Sequence, residues 1–299
     1  MKFNTLGARI GLGYALMAMV LAVAVLATLW QFDNVTRTSD RIGDLRAPTA
    51  YCSIAMLNSV NESNAALRGW TILGENSLKE QRHGLWSEEI NPLLERMATL
   101  SENWTDPQNV VRLNGIRHRL GQLSRFQQQI EEIAHTPENE PAIKLLVEQV
   151  MPRVRTMSTA ITTILAIEKV QETTGDRKRL LAAVGDLSAG TARMTSDLHA
   201  YLLTGDESTR HCFEKHWKTN AAQLAYLASH CRWLTIEQRE ALTRLQTTHR
   251  ELGPLTSQAL EIRGGPHWNQ ARWLLATKAI PTAEGSSVSS RRWRRANSF

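Results

Sequence analysis

The chain has little cysteine, little glycine and no excess of one charge along its body. Three cysteines among 299 residues exclude a disulfide framework, and 17 glycines and 9 prolines exclude a collagenous or low-complexity chain. The first nine and last sixteen positions hold six of the 35 basic residues and one of the 29 acidic residues, so residues 10–283 carry a net charge of +1. A nucleic-acid-binding domain presents a basic face. This balance therefore predicts no nucleic-acid partner.

Motifs that mark common enzymes are also absent. No Gly-rich phosphate loop, Cys-x-x-Cys pair, His-Glu-x-x-His or Gly-x-Ser-x-Gly occurs, so we expect neither an enzyme nor a bound cofactor. Residue types that bind metals cluster late in the chain, but only Cys212 and His216 share a helix face, and a site would need a ligand from elsewhere. We therefore expect no metal. The cluster consists of His211, Cys212, His216, His230 and Cys231.

One long hydrophobic run lies near the N-terminus. Residues 10–32 contain no charged side chain, and about 20 helical residues cross a hydrocarbon core of roughly 30 Å. Arg9 precedes the run and Trp30 lies at its far end, the pattern of a membrane anchor with residues 1–9 in the cytoplasm. The alternative is a cleaved signal peptide, whose apolar region has about 7–15 residues. The greater length favours an uncleaved single-pass anchor with the rest of the chain outside the cytoplasm.

The chain contains an internal repeat. Gly74 and Gly205 are 131 residues apart within similar nine-residue segments, and Trp86 and Trp217 have the same separation. Further along, the separation becomes 129 residues. It then relates Trp104 to Trp233, Leu113 to Leu242, Leu123 to Leu252, Ile133 to Ile262, Pro137 to Pro266, and Met151-Pro152 to Ile280-Pro281. A single two-residue deletion reconciles both separations. We infer a duplicated unit of roughly 130 residues.

Apolar residues recur at helical spacing throughout, and no segment alternates as a strand does. The pattern predicts an all-α fold in which an N-terminal transmembrane helix precedes two repeated antiparallel four-helix-bundle modules. The modules are predicted over residues 33–172 and 173–283, followed by a basic tail over 284–299. The predicted helices are 33–73, 77–103, 107–134, 137–170, 176–203, 208–231, 235–262 and 268–283.

Helix-terminating and helix-capping residues support these boundaries. Gly74 and Gly205 lie where a helix ends with a left-handed residue. Capping boxes are predicted at Ser77-Leu78-Lys79-Glu80 and Thr235-Ile236-Glu237-Gln238, and N-caps followed by proline at Asp106-Pro107 and Thr136-Pro137.

Polar residues interrupt the apolar stripe of the first extracytoplasmic helix. Asn61, Asn64 and Arg68 occupy positions i, i+3 and i+7 near Trp70, and a guanidinium with nearby amides suits a small carboxylate. These four residues are our candidate ligand site in the first module. The matching candidates in the second module are Thr195, His199 and Tyr201. The alternative is an ordinary polar layer without a ligand, in which these groups pair with neighbouring side chains or water.

Several short motifs resemble a known family. They are Arg46-Ala47-Pro48, Leu67-Arg68-Gly69-Trp70-x-x-Leu73-Gly74, Trp86-x-x-Glu89-Ile90-x-Pro92, Asn103-Trp104-Thr105, Tyr201-Leu202-Leu203-Thr204-Gly205-Asp206, Ile262-Arg263, Trp268-Asn269-x-Ala271 and Ile280-Pro281-x-Ala283. With the basic N-terminus and the apolar run, they resemble the N-terminal transmembrane and extracytoplasmic sensor region of methyl-accepting chemotaxis proteins, of the four-helix-bundle or helical bimodular class. The resemblance covers residues 1–283.

This resemblance implies a homodimer in the bacterial cytoplasmic (inner) membrane. Its sensor region would lie outside the cytoplasm, in the periplasm, and bind a small organic acid or amino acid between helices. It also implies one site in each module, although His199 stands where the first module has Arg68.

The chain departs from the family after residue 283. It has no second membrane span, HAMP linker or Glu/Gln/Ala-rich signalling hairpin, and residues 284–299 are rich in Ser and Arg. We expect this tail to be out of frame or disordered in a truncated or frameshifted receptor. Two alternatives stay open: the input region of a sensor histidine kinase, and a membrane-anchored helical scaffold without a ligand.

Overall fold

A computed structural model describes residues 6–172 and 174–285 of the chain. This part of the chain is all-α and contains no β-strand, which confirms the predicted fold class. The N-terminal residues 1–5 lie outside it, as do residues 286–299, which make up most of the predicted basic tail.

The helices are named in chain order. They are α1 (Leu6–Arg41), α2 (Ala47–Leu73), α3 (Asn76–Gly84), α4 (Asn91–Ser101), α5 (Pro107–Ile133), α6 (Pro141–Leu145), α7 (Met151–Glu168), α8 (Gly175–Thr204), α9 (Glu207–Ser229), α10 (Ile236–Gly264) and α11 (Gln270–Leu274). Four π-helical segments, Ile42–Arg46, Leu85–Ile90, Leu146–Val150 and Leu275–Ala279, join successive pieces into longer helices.

Helix α1 contains the segment predicted to cross the membrane. Within it, Ile10–Thr36 has a mean hydropathy of 2.4 over its most apolar window, and none of that window is buried against the protein. The helix is long and apolar enough to span a bilayer, although a signal sequence shares these properties. The helix continues without a turn through Ile42–Arg46 into α2.

The described residues form two compact units. One contains residues up to Arg125 together with residues 280–285, and the other is Phe126–Ala279. In the first unit α2 packs against α3, the π segment Leu85–Ile90 and α4. The apolar face of α2 supplies the buried Met56, Val60 and Leu67.

The second unit is a four-helix bundle made of α7, α8, α9 and α10. Helix α8 packs along α9, and α10 packs along α7, while α7 also contacts α8. The core is apolar and is drawn from all four helices. Met157, Leu187, Leu224 and Leu245 are examples of its buried members.

The two units do not divide at the predicted boundary between residues 172 and 173. Helix α7, which we placed in the first module, packs with α8 and α10, because its Val154, Met157 and Ile161 complete the core of the second unit. The structure therefore does not confirm two successive modules over 33–172 and 173–283.

Local backbone features nevertheless recur at the separation found in the sequence. The π segments Leu146–Val150 and Leu275–Ala279 are 129 residues apart, and each is followed two residues later by a proline, Pro152 or Pro281. Gly74 and Gly205 adopt φ of 70° and 73°, so both predicted left-handed helix ends are confirmed. In each, the glycine N–H donates to the carbonyl four residues earlier.

The predicted caps have mixed outcomes. Thr235 forms the predicted capping box with Gln238, and Asp106 accepts a hydrogen bond from the Gln108 N–H at 2.9 Å. The box at Ser77 is wrong, because α3 begins at Asn76 and its N-terminus has no side-chain cap. Thr136 is at the predicted N-cap position, but its hydroxyl donates to the Ile133 carbonyl instead.

Buried polar side chains join three helices at one end of the bundle. Glu168 of α7 accepts from the Arg177 guanidinium at 2.7 Å and from the Gln238 amide at 2.9 Å. Gln238 is fully buried and completes the capping box of α10. The Glu168 carboxylate thus links α7 to the N-terminal ends of α8 and α10. Arg177 and Gln238 both donate hydrogen bonds to it.

Candidate ligand-binding site

A cavity lies at the opposite end of the second unit, where α8 and α10 both end. Its volume is about 420 Å³. Tyr201, in the last turn of α8, is only 1% exposed, yet it lines this cavity. Its hydroxyl makes no hydrogen bond to any residue that the structure describes. The other lining residues are Gly205, Glu207, Arg263, Gly264, Gly265, Pro266 and Trp268.

Arg263 supplies the positive charge of this cavity. Its Nε donates to the Leu202 carbonyl at 2.8 Å and its Nη2 to the Leu203 carbonyl at 3.5 Å, so it caps the C-terminal end of α8. The guanidinium carbon lies 4.1 Å from the ring centroid of Trp268, a cation–π contact. Nη1 makes no hydrogen bond among the described residues and is free to donate.

Two glycines make room for this arrangement. A Cβ on Gly205 would lie 2.6 Å from Nη2 of Arg263, and the left-handed backbone at Gly205 also disfavours a side chain. A Cβ on Gly264 would lie 3.5 Å from the Tyr201 hydroxyl. Gly205 therefore lets the guanidinium rest on the end of α8, and Gly264 leaves open space beside the hydroxyl.

A second cavity, the α9–α10 groove, adjoins the first at Gly264. Its volume is about 640 Å³. The groove is lined by Arg210, Phe213, Glu214, Trp217 and Lys218 of α9 and by Gly253, Thr256, Ser257, Leu260, Glu261 and Gly264 of α10.

Aromatic rings pack together at the end of this groove that is far from Gly264. The Trp217 ring stacks on His249 of α10 with centroids 4.1 Å apart, and its centroid lies 6.0 Å from that of Phe213. Burial lowers the pKa of His249. Nε2 of this imidazole is buried and has no hydrogen-bond partner, which favours the neutral ring that stacks on Trp217.

The charges of the groove compensate one another. Arg210 lies 3.5 Å from Glu207 and 3.3 Å from Glu214, so it is paired with both. Lys218 and Glu261 form no ion pair within the described residues. The charged groups that line the groove are two cations and two carboxylates, and their net charge is zero.

The structure separates the residues predicted for the second-module site. Tyr201 lines the cavity, but His199 points outward and is exposed. The Thr195 hydroxyl donates to the Thr191 carbonyl at 2.8 Å, the ordinary backbone bond of a helical threonine. Only Tyr201 of these three residues lines a cavity described above.

The residues predicted for the first-module site also differ in their surroundings. Asn64 is buried, whereas Asn61 and Arg68 are exposed. Trp70 is half-buried, and the Lys79 ammonium lies 5.7 Å from its ring centroid. The structure therefore does not gather these four residues into one enclosed site.

Sequence reasoning missed two arginines. Arg82 of α3 is 4% exposed, and Arg263 lines the cavity of the second unit. A signal for Arg82 existed, because it shares the helical stripe of Leu78 and Leu85, where a charged residue is unusual. Arg263 belongs to the Ile262-Arg263 motif, but nothing in its spacing connects it to Tyr201.

The late cluster of histidines and cysteines does not meet at one point. Over residues 6–172 and 174–285 no group of three His, Cys, Asp or Glu side chains is arranged to hold a metal ion. Cys212 and Cys231 are exposed free thiols, and Nδ1 of His216 lies 2.6 Å from a carboxylate oxygen of Asp197.

No protein-family description matches the chain, and no curated protein matches it.

Proposed function

We propose that this chain is the membrane-anchored sensor region of a bacterial chemoreceptor and that the cavity at Tyr201 and Arg263 binds a small carboxylate. The Tyr201 hydroxyl carries the proposal. It belongs to a side chain that is 1% exposed and makes no hydrogen bond among the described residues, it interacts electrostatically with the Arg210 guanidinium, and it borders open space. The hydroxyl is accessible from this open space and can donate a hydrogen bond to a ligand there.

The donors at the cavity select the ligand class. The Tyr201 hydroxyl and Nη1 of Arg263 are both free to donate, and the carboxylate of Glu207 is occupied by Arg210 at 3.5 Å. Two unpaired donors, one of them cationic, suit the two oxygens of a carboxylate. A volume of about 420 Å³ lies within the usual range for small-molecule sites.

The membrane part of the proposal rests on α1. This helix is apolar over Ile10–Thr36 and continues as a helix into α2, which belongs to a folded unit. We place the folded units outside the cytoplasmic membrane and expect a homodimer, as the sequence motifs imply. Binding would bias the helices that lead to the membrane. A ligand-free scaffold is the competing function, and it gives no reason for a cavity lined by both a tyrosine hydroxyl and a guanidinium that can donate.

The test uses the full chain in lipid nanodiscs and isothermal titration calorimetry with propionate. Tyr201→Phe removes only the hydroxyl, so we expect the Kd to rise about 10-fold, the usual effect of one hydrogen bond to a charged group. Tyr226→Phe, in the same unit but outside the cavity, is the matched control and should leave the Kd unchanged. Equal affinity of both variants and the unmodified chain would contradict the proposal.

A further inference from the structure

We infer that the carboxylate ligand carries an aromatic body and that this body lies in the α9–α10 groove. This inference rests on the proposed function, because it assumes that Tyr201 and Arg263 bind the carboxylate. Gly264 lines both cavities and has no side chain to separate them. A ligand can therefore extend from one into the other.

The volumes argue against a very short ligand. Together the cavity and the groove offer far more space than acetate or propionate fills, and small-molecule sites usually bury most of the ligand surface. A carboxylate separated by two or three bonds from a six-membered ring extends beyond the cavity and places the ring at the Gly264 end of the groove, near Leu260.

The lining of the groove favours an aromatic ring. Phe213, Trp217 and Leu260 supply its apolar surface. Trp217 packs at Gly253, farther along α10, so Phe213 is the aromatic residue of α9 nearer to the Gly264 end of the groove. Aromatic pairs gain energy beyond simple burial. A flat ring is therefore preferred over an aliphatic chain of similar size.

The charge distribution favours an uncharged body. The two cations and two carboxylates of the groove cancel, and Glu214 is already paired with Arg210 at 3.3 Å. A second carboxylate on the ligand would meet Glu261, which has no cationic partner among the described residues. The geometry thus points to aryl monocarboxylates rather than dicarboxylates.

The experiment compares propionate, succinate and 3-phenylpropionate by titration calorimetry of the full chain in nanodiscs. We expect 3-phenylpropionate to bind at least 10-fold more tightly than propionate, and succinate to bind no better than propionate. This comparison needs no variant. Equal affinities of propionate and 3-phenylpropionate, or tighter binding of succinate than of 3-phenylpropionate, would overturn the inference.

A matched pair of variants locates the ring. Ser257→Phe places a side chain in the groove, and Thr247→Phe places one on an exposed part of the same helix outside it. We expect Ser257→Phe to abolish the advantage of 3-phenylpropionate and to leave propionate binding intact, while Thr247→Phe changes neither. If Ser257→Phe keeps the full advantage, the ring does not occupy the groove.

The two proposals fail in different ways. If propionate binds and Tyr201→Phe weakens it, but the phenyl ring adds no affinity, only the aromatic body is refuted. If Tyr201→Phe leaves the binding of every carboxylate unchanged, the proposed function itself fails. If none of the three carboxylates binds, both proposals fail.

Discussion

A close contact between α8 and α9 in the second unit allows a sharp test of its packing. Gly190 of α8 faces Asn220 of α9, and a Cβ on Gly190 would lie 2.1 Å from the Asn220 Oδ1. Gly185 lies in the same helix, and a Cβ there would meet nothing within 4 Å. Gly190→Ala and Gly185→Ala are therefore the same chemical change in the same helix, with and without a steric conflict.

The two substitutions should have opposite effects on the free energy of unfolding. An alanine in a helix interior is about 1 kcal/mol more favourable than glycine, and Gly185→Ala should gain most of this. At Gly190 overpacking costs about 1–3 kcal/mol. Moving the Asn220 amide also weakens its 3.4 Å hydrogen bond to Thr191, which costs about 1 kcal/mol more. We expect Gly190→Ala to destabilise the protein by about 2 kcal/mol in total.

Urea unfolding of the full chain in detergent, followed by circular dichroism, measures both changes. A second cycle in an Asn220→Ala background removes the conflicting oxygen, and there Gly190→Ala should cost much less. The reasoning is refuted if Gly190→Ala is as stable as Gly185→Ala. It is also refuted if the cost of Gly190→Ala is the same with and without Asn220.

Three further predictions concern the thiols, the buried imidazole and the buried carboxylate. Under native conditions iodoacetamide should label Cys212 and Cys231 quickly and Cys52 only after unfolding, because Cys52 is buried and burial raises the pKa of its thiol. Mass spectrometry after timed quenching measures the labelling rate of each cysteine. Burial lowers the pKa of His249 below its usual 6.5. The neutral imidazole therefore contributes its full stabilisation above pH 6.5, and this stabilisation is lost as the pH falls. In parallel urea titrations, the His249→Phe variant should lose less stability between about pH 7.5 and 5.5 than the unmodified chain. Glu168→Ala removes the carboxylate acceptor of the Arg177 guanidinium and one of the two acceptors of the Gln238 amide, so it should cost about 2–3 kcal/mol in the same unfolding assay. A cost below about 0.5 kcal/mol would contradict the structural role of this carboxylate.

Helix positions could be predicted closely because several independent signals agree. The predicted boundaries between residues 76 and 264 lie within about two residues of the observed ones, apart from an irregular turn at Glu140. The periodicity of apolar residues predicts where each helix ends. The glycines at 74 and 205 and the capping box at Thr235 each mark one of these predicted ends. These signals depend on residues that are neighbours in the sequence, so they can be read without knowing how the helices pack.

The π segments were not predicted, although their cause is visible in the sequence. Prolines 48, 92, 152 and 281 each follow a π segment by two residues. A proline ring collides with the carbonyl four residues earlier, and in all four cases that carbonyl belongs to the π segment. The wider turn removes the collision without ending the helix. Pro254 lies within α10, which contains no π segment, so a proline alone does not determine whether a π segment forms.

The candidate site was harder to predict because its members lie far apart in the sequence. Tyr201 and Arg263 meet only because α8 and α10 end at the same end of the bundle. Helical spacing tells which residues of one helix share a face, and it grouped Asn61 with Asn64 and Arg68. It does not tell which face is enclosed by other helices, and the structure leaves Asn61 and Arg68 in solvent.

The unbroken helix from Leu6 to Leu73 has a mechanical consequence. At 1.5 Å per residue this rod is about 100 Å long, and about 30 Å of it suffices to cross the hydrocarbon layer. Because no turn interrupts the helix, an axial shift of α2 displaces the apolar segment by the same distance. The π segment Ile42–Arg46 is where this rod departs from regular α-helical geometry. A one-residue change of register there would rotate everything on one side by about 100°.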